Sequence, residues 1–474
     1  MGQDYVFEYG DIIISPYKFT RINEIKIIRE LNQHAKLYIS GIISDENIDE
    51  YVEKANGDER IEISVKDDKD NIIDLFQGVV TNIGIIAREN VRCLKVEALS
   101  QTFLMDIEKK SRTFQNEDYT YDDVFKIINS TYNKAQRFDE ITNGAKIDKL
   151  IVQWKETDWE LIKRLASHFN GAVVSECQLT NIKYSLGASG DMKTYELNEF
   201  NYSIKKGLQE YNIKSANEDY ELIDVDLISY EIITNKILNL YSKVRFRERK
   251  LYVYRCEIEM VDGVFSNKYI LREKRGMKVR KTYNNKLVGV SLQGRVLDTK
   301  KDKVKISLEI DGSPTKKEGI RWFEFATIFS QPNGTGWYCM PEIGDITRLY
   351  FPDNVEKHSY LISSMHYQSS DPNKRVDPNR KSIGTKYGKE IVMMPGEVDI
   401  IANENLLMRM TDDGGIEINS DKKIILDAKD DIEINGGANI QVKGHSGIKL
   451  TQAGASMIIK DDVIINGRKV NVQD

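Results

Sequence analysis

The most constraining feature of this sequence is an eight-residue repeat of aliphatic side chains near its C-terminal end. Its first series is Ile416, Ile424, Ile432, Ile440 and Ile448, and its second, two positions later, is Ile418, Leu426, Ile434, Val442 and Leu450. Strand side chains alternate with a period of two, so an even interval keeps every pair on one face of an extended chain. The repeat predicts short strands in stacked layers, joined by polar turns.

That aliphatic face needs a cover that one chain does not easily supply. Eight strand residues extend at most about 26 Å, and the turn uses part of that length. A triangular coil made by one chain needs roughly twice as many residues per turn. Three identical chains that each supply one wall per layer would bring the pairs onto a common axis and close their strand edges on one another. We therefore expect an intertwined trimeric β-prism, with a β-sandwich of the same strands as the alternative.

Composition narrows the class of protein. The chain has 474 residues and a formal net charge of −6, which argues against a dedicated nucleic-acid binder. Its four cysteines, Cys93, Cys177, Cys256 and Cys339, are scattered without metal-ligand spacing and are expected to be reduced core thiols. The first residues lack the basic and apolar regions of a secretory leader, and no apolar run approaches the length of a membrane span. We expect assembly in the cytoplasm.

The N-terminal half has the pattern of β-structure with a few helices. Residues 1–110 contain several short alternating runs, which predict a first β-barrel. Residues 111–284 predict a second barrel with inserted helices. The clearest of these helices begins at Thr157, where Thr157 and Glu160 have the spacing of a capping box ahead of an apolar stripe that starts at Leu161.

Three further segments complete the predicted domain organisation. Residues 285–368 combine strict alternation with glycine turns and predict a five-stranded barrel of the OB type. Residues 369–390 contain Asp-Pro-Asn twice and predict a linker. Residues 391–474 contain no proline after Pro395, which suits a continuous ladder, and are assigned to the predicted β-prism.

Short motifs in this order resemble those of a known family. Residues 336–345 read GWYCMPEIGD and resemble the OB domain of VgrG-type spike proteins and of phage baseplate hub and spike proteins. Residues 153–159 (QWKETDW) and 112–115 (RTFQ) look like the N-terminal hub motifs of that family. The OB-fold likeness rests on Trp337, Pro341, Ile343 and Gly344. The resemblance covers nearly the whole chain, because the order of hub, OB barrel and repetitive prism is similar too.

The resemblance implies a fold and a set of partners. The fold class is mainly β with a few helices: two N-terminal hub barrels, an OB-fold barrel and a C-terminal intertwined triple-stranded β-helix or prism. The implied protein is a homotrimer at the tip of a contractile injection system, of the type VI, phage-tail, tailocin or extracellular kind. It would join a six-fold inner tube to a three-fold needle, contact baseplate and sheath components, carry effectors and pierce a target membrane, without binding nucleic acid.

The last residues depart from the eight-residue interval and predict a contact with a tip. Beyond Thr451 the pattern becomes irregular. The residues assigned to this tip-partner interface are Val463, Ile465, Val470 and Val472. This end either caps the prism itself or seats a separate, PAAR-like tip protein, as the family often does, since an open end with unpaired strand edges would be sticky.

No catalytic residue, metal site or cofactor is predicted. The predicted linker is too short for an inserted enzyme domain of the kind some family members carry. The acidic pairs at 412–413, 430–431 and 461–462 suggest metal binding or glycoside hydrolysis, but adjacent residues point apart, which favours exposed corners. His445 is expected in an exposed turn, and the sequence lacks the His-x-His of the family's iron-bearing tips.

Six of the ten residues from 272 to 281 are basic, which leaves a phosphate-binding patch as the alternative to a solvated or subunit-contacting face.

Two other functions stay open for the whole chain. One is a trimeric receptor-binding fibre or adhesin. The other is a polysaccharide-degrading β-solenoid, which would require longer coils and clustered carboxylates.

Overall fold

The fold is known from a computed structural model, which describes residues 6–44, 49–89, 91–187, 194–217, 221–261, 263–312, 319–367, 375–403, 405–469 and 471. The chain is mainly β with a few helices, as the sequence predicts. It divides into two compact units, Met1–Tyr367 and Gln368–Asp474. The finer five-part division of the sequence stays a prediction.

The first unit contains four helices and twenty-two strands within its described residues. The helices are α1 (Glu50–Glu53), α2 (Tyr121–Asn129), α3 (Asp158–Ser167) and α4 (Leu208–Asn217). The strands up to the third helix are β1 (Ile12–Ser15), β2 (Arg21–Glu30), β3 (Lys36–Ile42), β4 (Arg60–Lys66), β5 (Ile72–Arg88), β6 (Val91–Ser100), β7 (Lys109–Phe114), β8 (Gln136–Asp139) and β9 (Ile151–Thr157). The remaining strands are β10 (Val173–Ser175), β11 (Lys183–Leu186), β12 (Thr194–Leu197), β13 (Tyr202–Lys206), β14 (Ile228–Thr234), β15 (Lys243–Phe246), β16 (Arg249–Val261), β17 (Val264–Arg272), β18 (Ser291–Lys300), β19 (Lys303–Leu308), β20 (Phe323–Glu324), β21 (Ile346–Tyr350) and β22 (Tyr360–Ser364).

A large sheet joins the two predicted hub segments. Its main path runs β1-β4-β5-β6-β3-β2-β16-β17-β14-β13, with β12 and β15 paired beside it. Strand β2 of the first segment pairs antiparallel with β16 of the second, so the two segments share one hydrogen-bonded sheet. Ile25 and Ile27 of β2 alternate with polar residues and are fully buried in the largest core of the unit.

A second core forms around α2 and α3, and local sequence explains where each helix begins. The hydroxyl of Thr157 accepts a hydrogen bond from the Glu160 amide (3.1 Å), while the Glu160 carboxylate accepts one from the Thr157 amide (2.9 Å). The predicted capping box is therefore confirmed. Leu161 and Leu165 then lie fully buried on the inner face of α3.

A third core belongs to a five-stranded antiparallel sheet with the order β20-β19-β18-β21-β22, in the segment predicted as an OB barrel. Strand β9 ties this core to the second one, since Ile151 lies in the second cluster and the next residue, Val152, in the third. Side chains of consecutive strand residues point to opposite faces, so one strand serves both cores.

A buried charge network adds a second tie across the same boundary. Arg164 on α3 binds the carboxylates of Glu156 (Nε–Oε1 2.9 Å) and Glu356 (NH1–Oε1 2.8 Å), and Lys149 lies 3.4 Å from Glu356. Burial alone would lower the pKa of Arg164, but the two carboxylates outweigh it and hold that pKa above its usual value. Removing one member would leave buried charges without partners.

The second unit contains two antiparallel meanders separated by a long stretch without strands. The first meander runs β23 (Lys381–Gly384), β24 (Glu390–Met394), β25 (Glu397–Asn403), β26 (Leu406–Thr411) and β27 (Gly415–Asn419). The last runs β28 (Ile448–Gln452), β29 (Ala455–Ile459) and β30 (Val463–Asn466). Strand β23 lies inside the stretch that the sequence assigns to a linker, because Ile383 pairs with Ile391.

Candidate functional site: the apolar face of the second unit

One face of the first meander is built almost entirely from aliphatic and methionine side chains. Cross-strand pairing places two rows side by side. The first row is Ile383, Ile391, Ile400, Met408 and Ile418, and the second is Met393, Val398, Met410 and Ile416. Cross-strand neighbours on one face lie about 5 Å apart, so the rows form a continuous apolar surface. We call this surface, with its continuation described below, the apolar face.

The opposite face of the same meander is mixed, because ion pairs lie there beside Val392, Ile401 and Leu407. Arg409 binds Asp399 through two hydrogen bonds of 3.0 and 2.9 Å and lies 2.9 Å from a Glu397 oxygen. Arg380 pairs with Glu390 at 2.7 Å. The hydrogen bonds from Arg409 hold the pKa of Asp399 below its usual value. The meander thus keeps its ion pairs on one face and exposes aliphatic side chains on the other.

The aliphatic repeat continues the apolar face through residues 420–447, where the chain is extended and bends at regular intervals. Bends fall at residues 421–422, 429–430, 437–438 and 445–446, which is the eight-residue interval of the sequence. This stretch forms neither a strand nor a backbone–backbone hydrogen bond with the rest of the described chain. Apart from the Ser420 hydroxyl, which accepts from the Lys422 amide (3.2 Å) and donates to the Lys423 carbonyl (3.5 Å), its backbone groups have no hydrogen-bond partner within the described residues.

The predicted axial residues of this stretch are strongly exposed in the single chain. The exposed fractions of the side chains are 56% for Ile424, 69% for Leu426, 52% for Ile432, 67% for Ile434, 57% for Ile440 and 68% for Val442. Ile416 and Ile418, at the start of the series, are 68% and 55% exposed. An exposed apolar stripe of this length marks an interaction surface rather than ordinary surface.

The last meander adds a second aliphatic surface to the apolar face, near the end of the described chain. Ile448 pairs with Ile459, which pairs with Val463, and Leu450 pairs with Met457, which pairs with Ile465. These six residues therefore share one face, and Val463 and Ile465 of the predicted tip interface lie on it. Val470 and Val472, the other two residues of that prediction, lie outside the described residues.

Sequence reasoning missed the upstream part of the apolar face. The eight-residue interval continues backward from Ile416 to Met408 and Ile400, and from Ile418 to Met410. Two methionines break the run of branched aliphatic residues, and this concealed the pattern. Methionine nevertheless packs in apolar cores as the branched residues do. Treating methionine as equivalent to isoleucine would have extended the repeat by one full unit.

The four residues of the OB motif fall in two structural settings. Pro341 is buried, and it begins a turn in which the Glu342 amide donates to the Asp345 carboxylate at 2.9 Å. Gly344 in this turn has a φ of +98°, which favours glycine, and its amide donates to the Val296 carbonyl on β18 at 2.9 Å. Ile343 and Trp337 are exposed, and Trp337 belongs to a projecting hairpin considered below.

Chemistry-bearing side chains do not converge in the described parts of the chain. No cluster of three or more His, Cys, Asp or Glu residues suited to a metal ion is found among them. The acidic pairs at 412–413, 430–431 and 461–462 are exposed and lie at turns or at the ends of turns, and His445 lies at an exposed bend. None of the helices in the described ranges has the length and apolarity needed to span a membrane.

The basic run at 272–281 is partly engaged in contacts within the chain. Arg272 pairs with Glu210 at 3.1 Å and lies over the ring of Tyr254, with 4.0 Å to the ring centroid. Lys278, Arg280 and Lys281 also have interaction partners. These contacts favour a structural role for the run over a phosphate-binding patch.

Comparisons with known proteins point to a shared fold. The family model described as the Alg8 N-terminal domain matches residues 22–197, which is less than half of the chain. A search of curated proteins by sequence gave no match. A chain of the lidless PdpA–VgrG complex superimposes with a TM-score of 0.57 at 11% identity, covering 84% of this chain and 93% of that one. A chain of the lidded Francisella complex gives 0.55 at 11% identity, with 84% and 76% covered.

The Escherichia coli c3393 protein, described as a component of the type VI secretion system, gives a TM-score of 0.53 at 11% identity, covering 75% of this chain and 99% of that chain. At this level of identity the likeness shows the fold alone. The chain therefore has a mainly β fold shared with chains of these three structures.

Proposed function

We propose that this protein is the trimeric hub and spike at the tip of a contractile injection apparatus, where it joins a six-fold tube to a three-fold, membrane-piercing needle. The observation that carries the proposal is the apolar face, which comprises the aliphatic rows of both meanders and the repeat between them and is largely exposed in the single chain. Fully burying an Ile or Leu side chain contributes about 1.5–3 kcal/mol, so a surface of this size strongly favours association.

Three copies fit the apolar face better than two. Two copies packed as a sandwich would cover the aliphatic side chains but would leave the strand edges of residues 420–447 open. Three copies can close those edges on one another while the aliphatic pairs meet on the axis. The regular bends at eight-residue intervals supply one corner per layer for such a prism.

A prism of this kind suits mechanical work. Strands hydrogen-bonded between three chains must separate together, which makes disassembly slow and the element stiff. The inner tube, baseplate and sheath components are the proposed partners of the first unit. A PAAR-like tip protein is the proposed partner near Val463 and Ile465, and effectors are carried with it through the target envelope.

Two other functions are less well supported by the same features. A polysaccharide-degrading solenoid stacks its own turns, whereas residues 420–447 form no ladder with the described chain. A receptor-binding fibre would also be trimeric and repetitive, but the likeness to the secretion-system chains covers the first unit as well, since it extends over 84% of this chain.

The test of function uses two neighbouring isoleucines in the organism that carries the gene. Ile424, which is 56% exposed in the single chain, belongs to the apolar face, while Ile425, which is 69% exposed, has the opposite parity. We expect Ile424→Asp to abolish assembled sheath–tube particles, counted by electron microscopy of lysates. Ile425→Asp should leave particle numbers unchanged. Normal particles in the Ile424→Asp strain would contradict the proposal.

A further inference from the structure

A second exposed surface lies in the first unit, on a hairpin formed by residues 327–339, which we call the arm. Every residue of the arm is exposed. It carries Ile328 (86% exposed), Phe329 (49%), Trp337 (49%) and Tyr338 (72%). None of its residues is charged, although 30% of the whole chain is charged. An exposed hairpin rich in aromatic residues and without charge has the composition of an interface core, because such cores are depleted in charged residues and enriched in aromatic ones.

The arm is held in one conformation by its own hydrogen bonds. The Trp337 amide donates to the Phe329 carbonyl at 2.8 Å, and the Gln331 amide donates to the Thr335 carbonyl at 2.8 Å. At its base, the Tyr338 hydroxyl donates to the Lys301 carbonyl at 2.9 Å. A preordered element loses little conformational freedom on binding, so its aromatic side chains can contribute most of their contact energy to affinity.

Gly336 is what lets the two sides of the arm approach. Its φ is +139°, and a Cβ added there would lie 2.3 Å from the Phe329 carbonyl oxygen. A residue other than glycine would strain the backbone and force the strands of the arm apart. The sequence thus specifies a rigid arm even though the arm buries almost none of its own apolar side chains.

We infer that the arm is a clasp that packs against a neighbouring copy of this chain. The inference rests on the proposed function, because it takes the trimer as given. The arm lies in the chain between β20 and β21 of the five-stranded sheet, and only seven residues, 368–374, separate Tyr367 from the described part of the second unit. Three copies joined through the second unit would therefore tether three arms at a high effective concentration.

The expected role is to lock the barrels of adjacent copies to one another. Without such a contact, the only association between copies in this proposal would lie in the second unit, and a short connection would join it to three independent barrels. Aromatic anchors such as Trp337 and Phe329 are the residues that most often dominate contacts between protein chains. A neighbouring barrel would cover them and remove their apolar surface from water.

Cys339 at the end of the arm gives a direct probe, because it is exposed while Cys177 and Cys256 are buried. The measurement is the rate of maleimide modification of Cys339 in the full chain with Cys93→Ser, followed by intact mass. The same rate is measured after Ile432→Asp, a substitution on the apolar face that should separate the copies. We expect Cys339 to react at least about tenfold more slowly in the assembled protein, since thiol modification depends on access.

The arm itself is then changed. Trp337→Ser should keep the mass of the assembly but raise the Cys339 rate to that of the separated chain. Phe200→Ser, which removes an aromatic side chain that is 96% exposed elsewhere in the first unit, should leave the rate unchanged. A trimer in which Cys339 reacts as fast as in the separated chain overturns the clasp alone. A wild-type chain that is monomeric overturns the proposed function and the clasp with it.

Discussion

The two units of this molecule contrast in where they keep their apolar side chains. The first unit has three buried clusters, tied by a strand that serves two of them and by the buried Arg164 network. In the second unit, the only buried side chains among the described residues are those of Val392 and Asp399. Both units follow strand alternation, but the first covers its own apolar faces and the second leaves its apolar face open.

The difference indicates which parts of the fold depend on other copies. A chain that exposes aliphatic pairs over several layers cannot offset the conformational entropy of ordering them by itself. The first unit should therefore fold as a single copy, and the second should owe its stability to association. This division can be tested by substitution, by dilution and by pH.

Substitution on the axis should separate the copies. Ile432→Asp would place three carboxylates together inside the prism, each at a cost of several kcal/mol when it is buried without a partner. We expect light scattering coupled to size-exclusion chromatography to give the mass of one chain. Ile425→Asp is the matched control and should retain the assembly, because its side chain points away from the axis. Equal masses for the two variants would contradict the assignment of faces.

Removing a buried arginine from the first unit should cost far more stability than removing a half-exposed arginine from the second unit. Arg164→Ala leaves Glu156 and Glu356 buried without their main partner and should lower the free energy of unfolding of the first unit by about 3–5 kcal/mol. Arg409→Ala breaks the pair with Asp399 in the second unit and should cost less, because the Arg409 side chain is itself 40% exposed to water. Calorimetry of both variants measures the two unfolding transitions. The account is wrong if Arg409→Ala proves the more damaging.

The two unfolding transitions should also depend differently on protein concentration. Association stabilises the second unit by mass action, so its transition should move to higher temperature as the protein is concentrated, whereas the transition of the first unit, which contacts its copies through the arm alone, should move less. A dilution series followed by circular dichroism measures both. A first-unit transition that shifts as strongly as the second would show that both units depend on association.

A smaller effect is expected from pH. Burial, with the charges of Lys149 and Arg164, lowers the pKa of His168 from its usual 6.5 to about 4. The folded state then binds fewer protons than the unfolded state between these values, so the stability of the first unit should fall as pH decreases from about 6.5 to 4. His168→Gln should flatten that slope in thermal melts. His445→Gln, at a bend of the second unit, should leave the slope in place.

Sequence reasoning succeeded where a short interval along the chain determines the structure. The eight-residue interval of the aliphatic pairs reappears as bends at the same interval, and the Thr157 capping box begins α3 as expected. In these cases the interacting groups are close in sequence. Local chemistry is then sufficient to predict the geometry.

Sequence reasoning failed where residues distant in the sequence meet, and where methionine was not counted with the aliphatic residues of the repeat. Arg164 and Glu356 lie 192 positions apart, so no local pattern links them. The first meander escaped notice because methionine replaces isoleucine at positions 408 and 410, and because the Asp-Pro-Asn motifs before it suggested a linker. The exposed arm could not be distinguished from an ordinary glycine-rich loop, since its rigidity depends on contacts across the hairpin.

The mass of the intact chain in dilute solution tests the central claim most directly. If the apolar face is shared among three copies, native mass spectrometry should give three times the chain mass of 54.5 kDa, unchanged on dilution. A species of 54.5 kDa at every concentration, with the aliphatic pairs of the second unit still exposed, would contradict the claim that association between copies stabilises the fold of this unit.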